Sequence, residues 1–214
     1  VIDPHAGQPI LHGGPPVGEG RGVVIMVHGR GASPHDILGL APMLDRPAFT
    51  YLAPAAANNS WYPFSFLTEI ARNEPYLSSA LTRLGVLVDD AVARGVRRED
   101  IVLLGFSQGA CLVGEFACRN AVRYGGVVML SGGLIGPPGT AWNYPGSLAG
   151  TPVFLGCSDV DAHIPKPRVD ESARVLERMG ADVTERIYPG MGHLVNDDEI
   201  AAAQHVLDQV AATV

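Results

Sequence analysis

Two kinds of hydrophobic pattern alternate along this chain. Short unbroken apolar runs are followed by longer stretches in which apolar residues recur every three or four positions. Residues 22–27 (Gly-Val-Val-Ile-Met-Val) form a continuous β-branched run, the pattern of a strand buried on both faces of a parallel sheet. Similar runs predict strands at 49–52, 101–106, 126–130, 152–155 and 183–188. Helical spacing predicts helices at 34–44 with Ser33 as N-cap, 74–95 (Leu77, Leu81, Leu84, Val88), 108–120, 168–179 closed by Gly180, and 196–211. Asp197, Asp198 and Glu199 lie at the positive end of the last of these. Strand and helix in regular alternation imply a mostly parallel central sheet covered by helices on both faces, with a short antiparallel strand added at 10–12. Segments 54–74 and 132–150 read as loops. A connection as long as 54–74, rich in Ala, Asn, Pro and aromatics, usually has a function in a compact domain.

The 214 residues suit one domain, expected to run over 1–214 with no internal repeat and no room for a separate cap domain. With 47% hydrophobic and 17% charged residues the chain is globular. The net charge of −7 and the lack of a Lys/Arg stripe exclude nucleic acid as a partner. No apolar run approaches the roughly 20 residues of a membrane span, and no secretory signal pattern opens the chain. Cys111, Cys118 and Cys157 show no Cys-x-x-Cys spacing and read as reduced thiols, which gives the expectation of a cytoplasmic protein. On one helix, Cys111 and Cys118 would stand about 10 Å apart, too far for a disulfide.

The strongest chemical signal is Gly105-Phe106-Ser107-Gln108-Gly109. It matches G-x-S-x-G and sits between a predicted strand and a predicted helix. That context makes it more than a glycine-rich turn with an incidental serine: a nucleophilic serine must project from a sharp strand-to-helix turn, and small flanking residues let the backbone pass. A hydroxyl needs a base, and in this type of fold the partners follow in the order Ser, Asp or Glu, His. Gly190-Met191-Gly192-His193 comes after the last strand and before the last helix, in a loop able to aim its imidazole. His5, His12, His35 and His205 are expected to be surface or capping residues. The acid lies in Gly156-Cys157-Ser158-Asp159-Val160-Asp161, where either Asp159 or Asp161 could orient the imidazole while the other caps the loop. Glycines in His28-Gly29-Arg30-Gly31 expose backbone N–H groups after the first long strand. One oxyanion donor is expected there and the other at Gln108, the residue after the nucleophile. Trp61, Tyr62, Phe64 and Phe66 in the long loop are candidates for an apolar substrate-binding wall; the competing reading is a surface loop pinned by its own aromatics.

Together these segments resemble the phospholipase/carboxylesterase family of α/β-hydrolases, which includes bacterial carboxylesterases and acyl-protein thioesterases. The resemblance is carried by Val24–Ala32, Ala53-Pro54 through Trp61-Tyr62-Pro63, Gly105–Ala110, Asp161-Ala162-His163-Ile164-Pro165 and Gly192-His193, in the family's order over nearly the whole chain. It implies an α/β-hydrolase fold and a Ser107–Asp161–His193 triad, because the family sets its acid three residues before an aliphatic-Pro pair. It places the loop oxyanion donor on Arg30, where many members carry Leu; the side chain adds a cation near the pocket mouth. It also makes a homodimer a fair expectation.

The function that follows is a carboxylesterase acting on a small-molecule ester through an acyl-enzyme on Ser107, with no cofactor and no metal. The chain has no His-Glu-x-x-His motif and no nucleotide-binding glycine spacing. The alternatives are a thioesterase or lactone hydrolase on the same triad, although lactonases resembling dienelactone hydrolases usually carry Cys at the elbow. A non-catalytic binding protein on the same scaffold would normally have lost a member of the triad.

Overall fold

The computed structural model describes residues 3–211. Its centre is a seven-stranded sheet with strands β1 (Ile10–Gly13), β2 (Val23–Val27), β3 (Thr50–Pro54), β4 (Ile101–Phe106), β5 (Gly126–Leu130), β6 (Pro152–Ser158) and β7 (Asp182–Tyr188). The order across the sheet is β1-β3-β2-β4-β5-β6-β7. Only β1 runs antiparallel, pairing Ile10 with Pro54 and Gly13 with Tyr51 of β3. The apolar runs behave as strands sandwiched between two helical layers must: every residue of β2, β3, β5 and β6 is buried. Alternate residues serve opposite faces. Val23, Ile25 and Val27 join one core with helices α3 (Tyr76–Ala93), α4 (Gln108–Arg119) and α5 (Lys166–Arg178). Val24 and Met26 join the other with α1 (Pro34–Leu38), α2 (Ala41–Leu44) and α6 (Asp197–Ala211).

The helix expected over 34–44 is instead two short ones, α1 and α2, meeting at Gly39-Leu40. Pro42 causes the break. Its ring lacks an N–H and would clash with the carbonyl four residues earlier. Ser33 precedes α1 as expected, but its backbone N–H and hydroxyl both donate to the Asp36 carboxylate, at 2.7 and 2.6 Å. Segment 54–74 is an ordered connection containing two 3₁₀ turns, Ala57–Asn59 and Ile70–Asn73. Among the described residues no helix is long and apolar enough to cross a membrane.

Candidate active site

A parallel sheet gathers its loops at the carboxyl ends of its strands, and ligand sites form there. The segments after β2, β4, β6 and β7 meet at this edge around a cavity of about 590 Å³, lined by Gly29, Arg30, Tyr62, Ser107, His163 and His193 among others.

Ser107 stands at the turn from β4 into α4 with φ 55° and ψ −119°, a conformation costly for any residue with a Cβ. The turn holds because Ser107 N–H donates to Leu130 O at 2.9 Å and its carbonyl accepts Cys111 N–H at 3.1 Å. The two motif glycines are required by space. A Cβ on Gly105 would collide with the carbonyl of Gly109, and one on Gly109 would collide with the carbonyl of Val27. Gly29 presses on the turn from β2: a Cβ there would stand 3.3 Å from Ser107 Cβ.

Ser107 Oγ lies 2.9 Å from His193 Nε2, and His193 Nδ1 lies 2.7 Å from Asp161 Oδ2. The Asp161 side chain is fully buried. Burial alone would raise its pKa. The hydrogen bond from His193, and then the N–H groups of His163 and Ile164 on Oδ1 at 2.8 and 3.0 Å, outweigh it and hold the carboxyl below its ordinary range. An ionised carboxylate only accepts, so Nδ1 carries the imidazole proton and Nε2 is left to accept from the Ser107 hydroxyl. The His193 ring packs between Phe106, 4.9 Å centroid to centroid, and His163 at 4.8 Å. Gly190 and Gly192 have φ of 68° and 80°, which the tight turn needs. Gly190 N–H donates to Asp159 Oδ1 at 2.8 Å and Gly192 N–H to Ser158 Oγ at 3.1 Å. Of the two competing aspartates, Asp161 therefore faces the imidazole and Asp159 ties down the turn that carries it.

Arg30 and Gln108 line the same cavity. Gln108 N–H is in the first turn of α4, where no intrahelical acceptor exists. Neither it nor Arg30 N–H has an acceptor among the described residues. His28 fixes the loop bearing Arg30. It is fully buried, its Nε2 accepts Ala56 N–H at 3.2 Å, and its Nδ1 pairs with Gly29 O at 2.8 Å. Burial lowers its pKa, so it works as a neutral hydrogen-bonding strut.

The aromatic loop divides between the two readings of it. Tyr62, Phe64 and Phe66 line the cavity; Trp61 does not. Trp61 is fully buried in the core, with Nε1 donating to His28 O and backbone N–H donating to Gln108 Oε1, both at 2.9 Å. An indole has one donor, and burying it requires an acceptor, so Trp61 is drawn inward and away from the wall. Gln108 Nε2 also donates to Tyr62 O at 2.8 Å, so its side chain fastens the wall. The Arg30 guanidinium binds the same loop, donating to Ser60 Oγ, Pro63 O and Phe64 O at 3.0, 2.9 and 2.7 Å.

Sequence reasoning missed several participants. Phe106, Cys111, His163 and Ile164 all line the cavity. Phe106, His163 and Ile164 had a signal, since each stands inside one of the motifs quoted above. His5 is a correction: it is fully buried and not at the surface, accepting Ala57 N–H at 3.0 Å and contacting Trp61 O at 2.9 Å. The polar contacts of segment 54–74 need an internal partner, and nothing local to His5 reveals that it supplies one. Among the described residues no group of three or more His, Cys, Asp or Glu side chains is placed to hold a metal ion.

The phospholipase/carboxylesterase family profile matches residues 15–211. A solved phospholipase/carboxylesterase of Dyadobacter fermentans is 41% identical, covers 98% of this chain and 99% of its own, and superposes with a TM-score of 0.90. Acyl-protein thioesterase 1 of Gibberella zeae is 33% identical over 53% of this chain and 49% of its own length. A probable carboxylesterase of Oryza sativa is 27% identical over 61% of this chain and 55% of its own, so the chain spans about half the length of these two curated relatives. With the seven-stranded sheet, the elbow at Ser107 and a profile match over nearly all of its length, this chain belongs to the phospholipase/carboxylesterase family of α/β-hydrolases.

Proposed function

We propose that the protein is a serine carboxylesterase that works through an acyl-enzyme on Ser107. The observation that carries this reading is the unbroken chain Ser107 Oγ–His193–Asp161, at 2.9 and 2.7 Å, opening on a cavity with two unengaged backbone N–H groups. In the proposed cycle His193 Nε2 takes the Ser107 proton as Oγ bonds to the ester carbonyl carbon. The N–H groups of Arg30 and Gln108 stabilise the resulting oxyanion, and Asp161 stabilises the imidazolium. His193 then returns the proton to the departing alkoxide. Water, deprotonated by the same imidazole, releases the acid and restores the hydroxyl. Ser107→Ala should fold with an unchanged melting curve and lose nearly all ester hydrolysis, and a fluorophosphonate should label Ser107 in the parent. Labelling mapped to another serine would overturn the assignment.

The wall of Tyr62, Phe64 and Phe66, with no cap domain among the described residues, points to short or medium acyl chains. Each buried methylene contributes about 0.8 kcal/mol, so kcat/KM should climb along a p-nitrophenyl ester series and then level. A profile still climbing at about twelve carbons would contradict this. Thioester hydrolysis is the second reading, favoured by the 33% identity to an acyl-protein thioesterase. Oxyester and thioester of one acyl group, compared by kcat/KM, separate the two. A cytoplasmic homodimer completes the proposal. Three free, buried thiols fit a reducing compartment, and sedimentation gives the mass in solution.

A further inference from the structure

Around the cavity the charge is one-sided. The chain carries a net −7, yet no Asp or Glu is among the residues that line the cavity, and Asp161 is sealed behind the imidazole. Arg30 does line it. Seven other arginines, Arg46 through Arg186, each hold a carboxylate within 3.1 Å. Arg30 differs in that its three hydrogen bonds all go to neutral oxygens, so it is held in place with its charge uncompensated. A second guanidinium, that of Arg72, stacks 4.5 Å from the ring centroid of Phe64, a residue of the cavity wall.

The count of donors sharpens the point. A guanidinium has five N–H groups. Arg30 Nη1 uses both of its own, on Ser60 Oγ and Pro63 O, and Nη2 uses one, on Phe64 O. Nε–H and the second Nη2–H have no acceptor among the described residues. Nε and Nη2 share one edge of the guanidinium plane, the edge whose two N–H groups form the fork that matches the two oxygens of a carboxylate. Arg30 and Ser107 line one cavity together with Tyr62 and Phe64, apolar surface that suits a few methylenes.

We propose that the site selects esters whose acyl chain ends in a carboxylate, gripped by the free edge of the Arg30 guanidinium. The proposal rests on the serine-hydrolase reading above and names its substrate class.

The test uses 4-nitrophenyl monoesters of succinic, glutaric and adipic acid, each against the same compound with its free carboxylate methylated. At low salt the parent should favour the free acid of the best-fitting length by about tenfold or more in kcat/KM. The ratio should fall several-fold in about 0.5 M NaCl, because the contact is at an exposed rim. Arg30→Met should bring the ratio to about one. Arg30→Lys, which keeps the charge and loses the fork, should fall between. Melting curves establish that the variants fold, and the salt series on the parent carries the test if Arg30→Met does not. A parent ratio near one at low salt overturns the proposal. So does a folded Arg30→Met that slows both esters equally and keeps the parent ratio, which would make the guanidinium a loop clamp only. Hydrolysis of the methylated esters and labelling of Ser107 stand or fall separately, so failure here is distinguishable from failure of the hydrolase reading.

Discussion

Two carboxylates flank the turn that carries His193, and both side chains are fully buried: Asp161 after β6 and Glu199 in the first turn of α6. Their proton affinities move in opposite directions. Burial raises both. In Asp161 three donors, His193 Nδ1 and the N–H groups of His163 and Ile164, overcome it and keep the carboxyl ionised. In Glu199 only Asn196 N–H at 3.0 Å binds Oε2, while Oε1 has no partner among the described residues and packs against Gly156. Its pKa is pushed up to about 7, with burial the main cause and the neighbouring Asp198 charge adding to it. Depth does not decide whether a buried carboxyl is an anion. The number of donors aimed at it does.

The comparison breaks most visibly at Asp161. An amide in its place cannot stabilise an imidazolium and can present its NH₂ to Nδ1, which favours the wrong tautomer. Asp161→Asn should lower kcat by about three to four powers of ten, or roughly 4–5 kcal/mol of transition-state stabilisation, in a protein that still folds. Steady-state kinetics beside a melting curve check this. A loss of only tenfold would mean that another group sets the tautomer.

Glu199 should act on stability and hardly on rate. Its folded pKa lies above the unfolded value, so between about pH 4.5 and 7 the native state keeps a proton that the unfolded chain has lost. The associated stability is fully present below the lower value and lost as pH rises through the upper one. The shift corresponds to at most about 3 kcal/mol. Glu199→Gln removes that dependence. Its melting temperature relative to the parent should therefore rise between pH 5 and 8, by about 2–4 °C for each kcal/mol recovered. Parallel pH profiles for the two proteins would show that Oε1 is satisfied in solution.

How much of this could be read in the sequence depends on whether the determinant was local. The strands of the parallel sheet were legible because each is buried on both faces and spells that out in consecutive apolar residues, as Val23–Val27 does. The approach of Ser107, Asp161 and His193 was legible because each sits in a short segment whose glycine or proline pattern constrains the backbone. The helix over 34–44 failed at Pro42, a local signal that the apolar periodicity outweighed. What was not legible was settled by long-range hydrogen bonds. Trp61 turned inward because His28 O needed a donor, His5 was buried because Trp61 O and Ala57 N–H needed partners, and the Arg30 head group found the carbonyls of 63 and 64. Nothing within a few residues of any of them records those partners. Glu199 looked like a helix-dipole residue, and only the packing of α6 against Gly156 shows that it is enclosed.

The smallest effect is expected at Asp159, two residues from Asp161 and chemically identical to it. Asp159 is exposed, and its Oδ1 accepts one bond, from Gly190 N–H at 2.8 Å. It touches the turn that carries the imidazole and not the imidazole itself. Asp159→Ala removes an accessible acceptor that water can replace, so the cost should be about 1 kcal/mol of stability. That corresponds to a fall of about 2–4 °C in melting temperature for a chain of this size. Loosening the turn should lower kcat by less than tenfold, because Gly192 N–H remains tied to Ser158 Oγ at 3.1 Å and the bond from Nδ1 to Asp161 is untouched. Measured beside Asp161→Asn, the variant separates holding the loop from holding the proton. If Asp159→Ala collapses kcat while Asp161→Asn stays within tenfold of the parent, the acid belongs two residues earlier. Ser107 and His193 would keep their proposed roles, since the 2.9 Å contact between them does not depend on which carboxylate stands behind the ring.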